Sequence, residues 1–101
     1  MPSPIDILLN QHTPPDVLAG VAQRMRQRRK EQRLSQQELS RKSGVSLGSL
    51  KRFEREHQIS LESLVKLAFA LGCEDDFDGL FSKRGYASIE EVIADAKGTR
   101  R

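Results

Sequence analysis

The chain has 101 residues, 37% of them apolar and 31% charged, with a net charge of +3. That bounds it to one domain with a modest core, and no apolar run approaches the ~20 residues a spanning helix requires. A single cysteine, Cys73, excludes an internal disulfide framework; it reads as a small buried hydrophobe in a reducing, cytoplasmic setting.

The charge is unevenly spread. From Arg24 to Arg55 eleven Lys/Arg stand against three Glu, an excess of eight; elsewhere six stand against eleven Asp/Glu, a deficit of five. Such a block fits a polyanion partner, and fits a solvated helix face equally well. No signal-peptide pattern precedes it.

Residues 1–13, "MPSPIDILLNQHT", form a lead whose Ile5, Ile7, Leu8 and Leu9 are too few for a core of their own and so dock on the domain or on a partner. Thr13, Pro14, Pro15 and Asp16 read as a helix start, with a capping hydroxyl, prolines in the first turn and an acid at the positive end. That first helix runs to about Gln32, with Val17, Leu18, Val21, Ala22 and Met25 as its inward stripe. Four residues further the stripe meets Arg29, a charge on an inward face.

Ser35 and Glu38 have capping-box spacing, so a second helix begins there, and Gly44 supplies the residue that can end it at positive φ. Ser46 caps a third helix almost at once. Leu50 and Phe53 mark its inner side, and Glu54 leans the same way. Ser60 caps a fourth, with Leu61, Leu64, Leu67, Ala68 and Leu71 as its stripe and Gly72 as its stop. A brief fifth helix is expected around Phe77–Phe81. Ser88 and Glu91 form another capping box, followed by Ile89, Val92, Ile93 and Ala96 at helical spacing. A helix that short must pack on something. The class is all-α, organised as a lead (1–13), a domain (14–81) and an extension with a short helix (82–101).

Two helices joined by a short glycine-containing turn define a helix-turn-helix, whose second helix enters a DNA major groove while the first crosses the backbone. In "RKEQRLSQQELSRKSGVSLGSLKRFE" and, beyond a loop, "SLESLVKLAFALG", the chain resembles the phage repressor and Cro-like (XRE-type) regulators over about Met25 to Phe81. The resemblance implies a compact five-helix, lambda-repressor-like fold. It also implies an ion pair between an arginine late in the first helix and a glutamate late in the third, here Arg29 and Glu54. Ser40 and Ser43 depart from the family's usual alanine or apolar residues, but both are small.

By the same resemblance, Ser46, Leu47, Gly48, Ser49, Lys51 and Arg52 lie near base edges or flanking phosphates. Leu47 and Gly48 stand where some relatives carry glutamine and cannot make its bidentate contact to adenine. Leu47 either touches a thymine methyl or turns inward as core; Gly48 lets the backbone approach. Lys51 reads a base or a phosphate, and Arg52 can grip guanine through O6 and N7. Backbone amides from Ser35 to Gln37 offer donors to phosphate at a positive helix end, and the Gln36 side chain adds an amide. Arg55 flanks the same groove, as does His57 unless it is merely an exposed loop residue. Arg24, Arg26, Arg28, Lys30 and Arg33 add longer-range attraction.

The expected function is a sequence-specific regulator of double-stranded DNA, a homodimeric repressor by the family's commoner habit. Phe77, Leu80 and Phe81 would make dimer contacts, and Ile89, Val92 and Ile93 would serve the dimer or another partner. A second expectation is an antitoxin. The small size and extra tails resemble the HipB-type antitoxins, which bind a HipA-like kinase toxin and repress their own operon. The segments Ile5–Leu9 and Ile89–Ala96 motivate that reading, and covering the protein's own core or dimer seam is the plainer one. No enzyme, metal or cofactor is expected: His12 and His57 lack partners at zinc-ligand spacing, and Glu90 and Glu91 read as first-turn acids of a helix.

Overall fold

Hydroxyl residues punctuate the chain where its helices begin, and residues able to take positive φ stand where three of them end. The structure, a computed structural model, describes residues 13–83. It comprises α1 (Pro14–Glu31), α2 (Gln36–Ser43), α3 (Leu47–Glu56), α4 (Leu61–Leu71) and a closing 3-10 helix (Glu74–Gly79), with no strand among the described residues. Thr13, Ser35, Ser46 and Ser60 each accept a backbone N–H from three residues on, satisfying a donor that a helix start leaves without an intrahelical partner. Gly44 ends α2 at φ 80° and Gly72 ends α4 at φ 74°; His57 does the same for α3 at φ 66° without glycine's freedom.

The turn between α2 and α3 is only Gly44, Val45 and Ser46. Burying Val45 there takes its peptide groups out of water, so they need partners. The two serines that depart from the family's habit provide them. Ser40 Oγ donates to the Val45 carbonyl at 2.6 Å, and the Val45 N–H donates to Ser43 Oγ at 3.1 Å.

Leu39, Leu50, Phe53 and Leu67, from α2, α3, α3 and α4, are fully buried, and Ala22, Met25, Val45 and Leu71 complete the cluster. A Gln32 amide N–H donates to the Leu71 carbonyl at 2.7 Å and so caps the end of α4 from the end of α1. Three residues expected inward are not. Val17 and Leu18 are about half exposed, at 50% and 48%, and Leu61 is 64% exposed. The reason is length: α1 has 18 residues, whereas α2 to α4 have 8 to 11, so the first turns of α1 overshoot the helices they pack on. Leu61 opens α4 at the same margin, across a groove from Val21.

The closing helix begins at Glu74, earlier than the apolar residues indicate, because Glu74, Asp75 and Asp76 suit its positive end. Leu80 has left it, and Phe81, at φ 61°, cannot continue it. The lead's Ile5–Leu9 and the extension's Ile89, Val92 and Ile93, on which the antitoxin reading rests, lie outside the described residues. Among the described residues no helix is long and apolar enough to cross a membrane.

The α2 cap has a measurable signature. The Ser35 N–H and then the Ser35 hydroxyl group, with help from Arg41, hold the Glu38 carboxyl below its ordinary value of 4.5. A depressed folded pKa contributes stability that is present above the unfolded value and lost as pH falls through the folded one. The stability gap between the parent and Glu38→Gln, followed by urea unfolding, should therefore hold at neutral pH and close as pH falls below 4.5. A gap that ignores pH would contradict the assignment.

Candidate nucleic-acid interface

Period 3.6 divides α3 into two sides. Leu50 and Phe53 are buried, whereas Ser46, Gly48, Ser49, Lys51, Arg52 and Arg55 are exposed. Leu47 is half-buried at the boundary, which leaves both of its expected roles open. The exposed side carries three cations within five residues, and nothing in the described chain covers it.

The inward-leaning charges meet. Arg29 Nε donates to Glu54 Oε2 at 2.7 Å and Nη2 donates to Oε1 at 2.9 Å, a bidentate fork. Its remaining amino group donates to the Leu34 carbonyl at 2.8 Å. Both side chains are over nine-tenths buried. The Gln36 amide also donates to Glu54 Oε1, at 2.9 Å, and exposed Arg26 stands 3.8 Å from the same oxygen. One carboxylate thus joins the end of α1, the start of α2 and the end of α3.

At the start of α2 the structure sorts the expected phosphate donors. The Ser35 N–H is taken by Glu38 Oε1 at 2.7 Å, so it is not free for a ligand. The Gln36 side chain is committed to Glu54. The backbone amides of Gln36 and Gln37 lie within the first helical turn, where no intrahelical acceptor exists. They remain the donors there. Beside them, Arg26, Gln36, Lys51 and Arg55 line a shallow cleft over Glu54, so α1 adds a cation to the edge that α2 and α3 share.

On α3 itself, the Ser46 hydroxyl accepts from Ser49 N and donates to Ser49 Oγ, which makes it chiefly a cap. Gly48 has open space where a Cβ would stand and no positive φ, so the fold does not require glycine there. Arg52 is exposed but not idle: Nε donates to Glu56 Oε1 at 3.3 Å and Nη2 donates to Gln58 Oε1. Arg55 makes only a 3.5 Å contact with Glu56, and Lys51 has no acidic partner among the described residues. His57 is a half-buried helix cap rather than a free loop side chain.

Sequence reasoning missed Gln36, Glu56 and Gln58 as partners. The Arg52–Glu56 spacing of four was a usable signal. Nothing local marked Gln36 or Gln58. The Helix-turn-helix family model matches residues 25–77, slightly more than half of the chain. No curated protein and no solved structure matches it.

Removing one partner of a buried pair strands the other, so Glu54→Ala should cost about 3–5 kcal/mol of folding stability. Replacing both, Arg29→Met with Glu54→Leu, should cost much less. Chemical denaturation of the singles and the double measures this, and an additive double mutant would rule out the coupling.

Proposed function

The chain belongs to the helix-turn-helix family, among its XRE-type DNA-binding regulators, and from that premise we propose that it is a homodimeric repressor that reads a specific duplex with α3. The observation that supports this best is the exposed cationic side of α3, Lys51, Arg52 and Arg55, back to back with a buried Leu50 and Phe53. A helix anchored on one side and charged on the other suits a groove lined by phosphate and base edges.

In this reading residues 14–81 are the binding unit, flanked by a lead (1–13) and an extension (82–101). The amides of Gln36 and Gln37 take a phosphate, with the α2 dipole favouring the charge; Ser35 shapes that end without touching the ligand. Arg26 and Arg55 neutralise phosphates on either side of the shared cleft. Arg52 reads guanine, exchanging Glu56 and Gln58 for O6 and N7. Lys51, Ser49 and Ser46 line the groove, Leu47 meets a thymine methyl and Gly48 admits the backbone. Leu80 and Phe81, exposed at 54% and 96%, are the apolar surface for a second copy, with Phe77 half-buried beneath. A dimer places two α3 helices about 34 Å apart on a near-palindromic site.

Selection of duplexes from a random pool tests the reading, and a protein that enriches no sequence would overturn it. With the selected duplex, log affinity should fall linearly with log salt, by roughly 0.9 per phosphate contacted. Arg52→Ala should cost about 1–3 kcal/mol and relax preference at one base pair, whereas Arg55→Ala should weaken all duplexes alike and reduce the salt slope by about 1. Gly48→Ala separates fold from contact. It should raise folding stability by about 1 kcal/mol yet weaken specific binding, and a variant that gains stability at unchanged affinity would show that no close approach occurs there.

A further inference from the structure

On the side of the domain away from the Glu54 cleft lies an apolar groove of about 400 Å³ between α1, α4 and the closing helix. Val21, Met25, Leu64, Ala68 and Leu71 line it, and Leu61 and Leu80 stand at its margins, more than half exposed. Val17 lies one turn before Val21 and prolongs the strip along α1. Among the described residues lining the groove, Arg24 and Arg28 are the cations and Asp76 the one acid. Arg28 already pairs with exposed Glu31; Arg24 has no acidic partner among the described residues.

The chain supplies a segment of matching length, polarity and charge. Residues 88–97 read "SIEEVIADAK", with Ile89, Val92, Ile93 and Ala96 on one helical side and Glu90 and Asp95 flanking that side. As a helix they would be roughly 15 Å long, and Val17 to Arg28 spans roughly 16 Å of α1. The described chain ends just past Leu80, at the groove itself. The six residue steps from Lys83 to Ile89 reach up to about 20 Å, enough to enter it. The lead fits less well: Ile5, Leu8 and Leu9 have helical spacing but cover barely more than one turn, against the two turns from Ile89 to Ala96, and its only charged side chain is Asp6.

We infer that residues 88–97 dock as a helix in this groove of their own chain, apolar side down, with Glu90 or Asp95 against Arg24. The extension thereby covers Leu61 and the groove side of Leu80 and closes the core. Ile89, Val92 and Ile93 then serve the protein's own fold rather than a toxin or a second copy.

Cys73 also lines the groove and is the one native cysteine, which gives a direct test. In the full chain, Ile89, Val92, Ile93 and Ala96 are each replaced by cysteine, with Glu91→Cys and Ala94→Cys as outward-facing controls. Under mild oxidation at least one stripe position should yield a disulfide within the monomer, resolved by non-reducing electrophoresis and peptide mapping, and neither control should. Covalent dimers would assign the groove to a second copy, and the absence of any stripe cross-link would leave it to another partner; either result overturns the inference. Independently of thiol access, Val92→Asp should lower the Tm of the full chain by roughly 4–8 °C, at a value independent of protein concentration. An unchanged Tm would refute the docking, and so would one whose drop depends on concentration.

Discussion

The fork of Arg29 on Glu54 is the interaction on which the rest of the domain depends. A hydrophobic contact between α1 and α3 would tolerate many crossing angles, because burial is non-directional. A guanidinium on a carboxylate, with a third bond to the Leu34 carbonyl, tolerates few. Its burial makes the pair costly to leave incomplete and gives the geometry its force. Lysine could not replace Arg29, since a point charge lacks the planar fork that meets both oxygens and the carbonyl.

The same carboxylate accepts from Gln36, in the first turn of α2. The end of α3 and the start of α2 are therefore held by one group, and both belong to the proposed DNA-binding edge. The α2–α3 turn is tied separately by Ser40 and Ser43 through the Val45 peptide. Both ends of the helix pair are thus tied by hydrogen bonds. In the proposed DNA-binding role that preorganisation would lower the ordering cost of binding.

Much of this was legible in order along the chain. Ser35, Ser46 and Ser60 announce three helix starts, and Gly44 and Gly72 two stops, because caps and left-handed residues act within a few positions of themselves. Arg29 and Glu54 stood out as charges in apolar stripes, and family resemblance paired them. Val17, Leu18 and Leu61 misled, since periodicity identifies a helix side but not how far the opposing helix extends. The closing helix was placed around its aromatic residues, whereas acids at Glu74, Asp75 and Asp76 set its start.

What the amino-acid sequence determined by itself was local: the limits of α1 to α4, the tight turn, the basic block and the two sides of α3. Tertiary structure alone decided which polar groups are spent and which are free. Ser35, Gln36 and Arg52 all looked available, yet the Ser35 amide belongs to Glu38, the Gln36 side chain to Glu54, and Arg52 rests on Glu56 and Gln58. The physical reason is that a hydrogen-bond donor is satisfied by whatever acceptor lies within about 3 Å, and Gln36 and Glu54, 18 positions apart in the chain, meet only once α2 and α3 have packed.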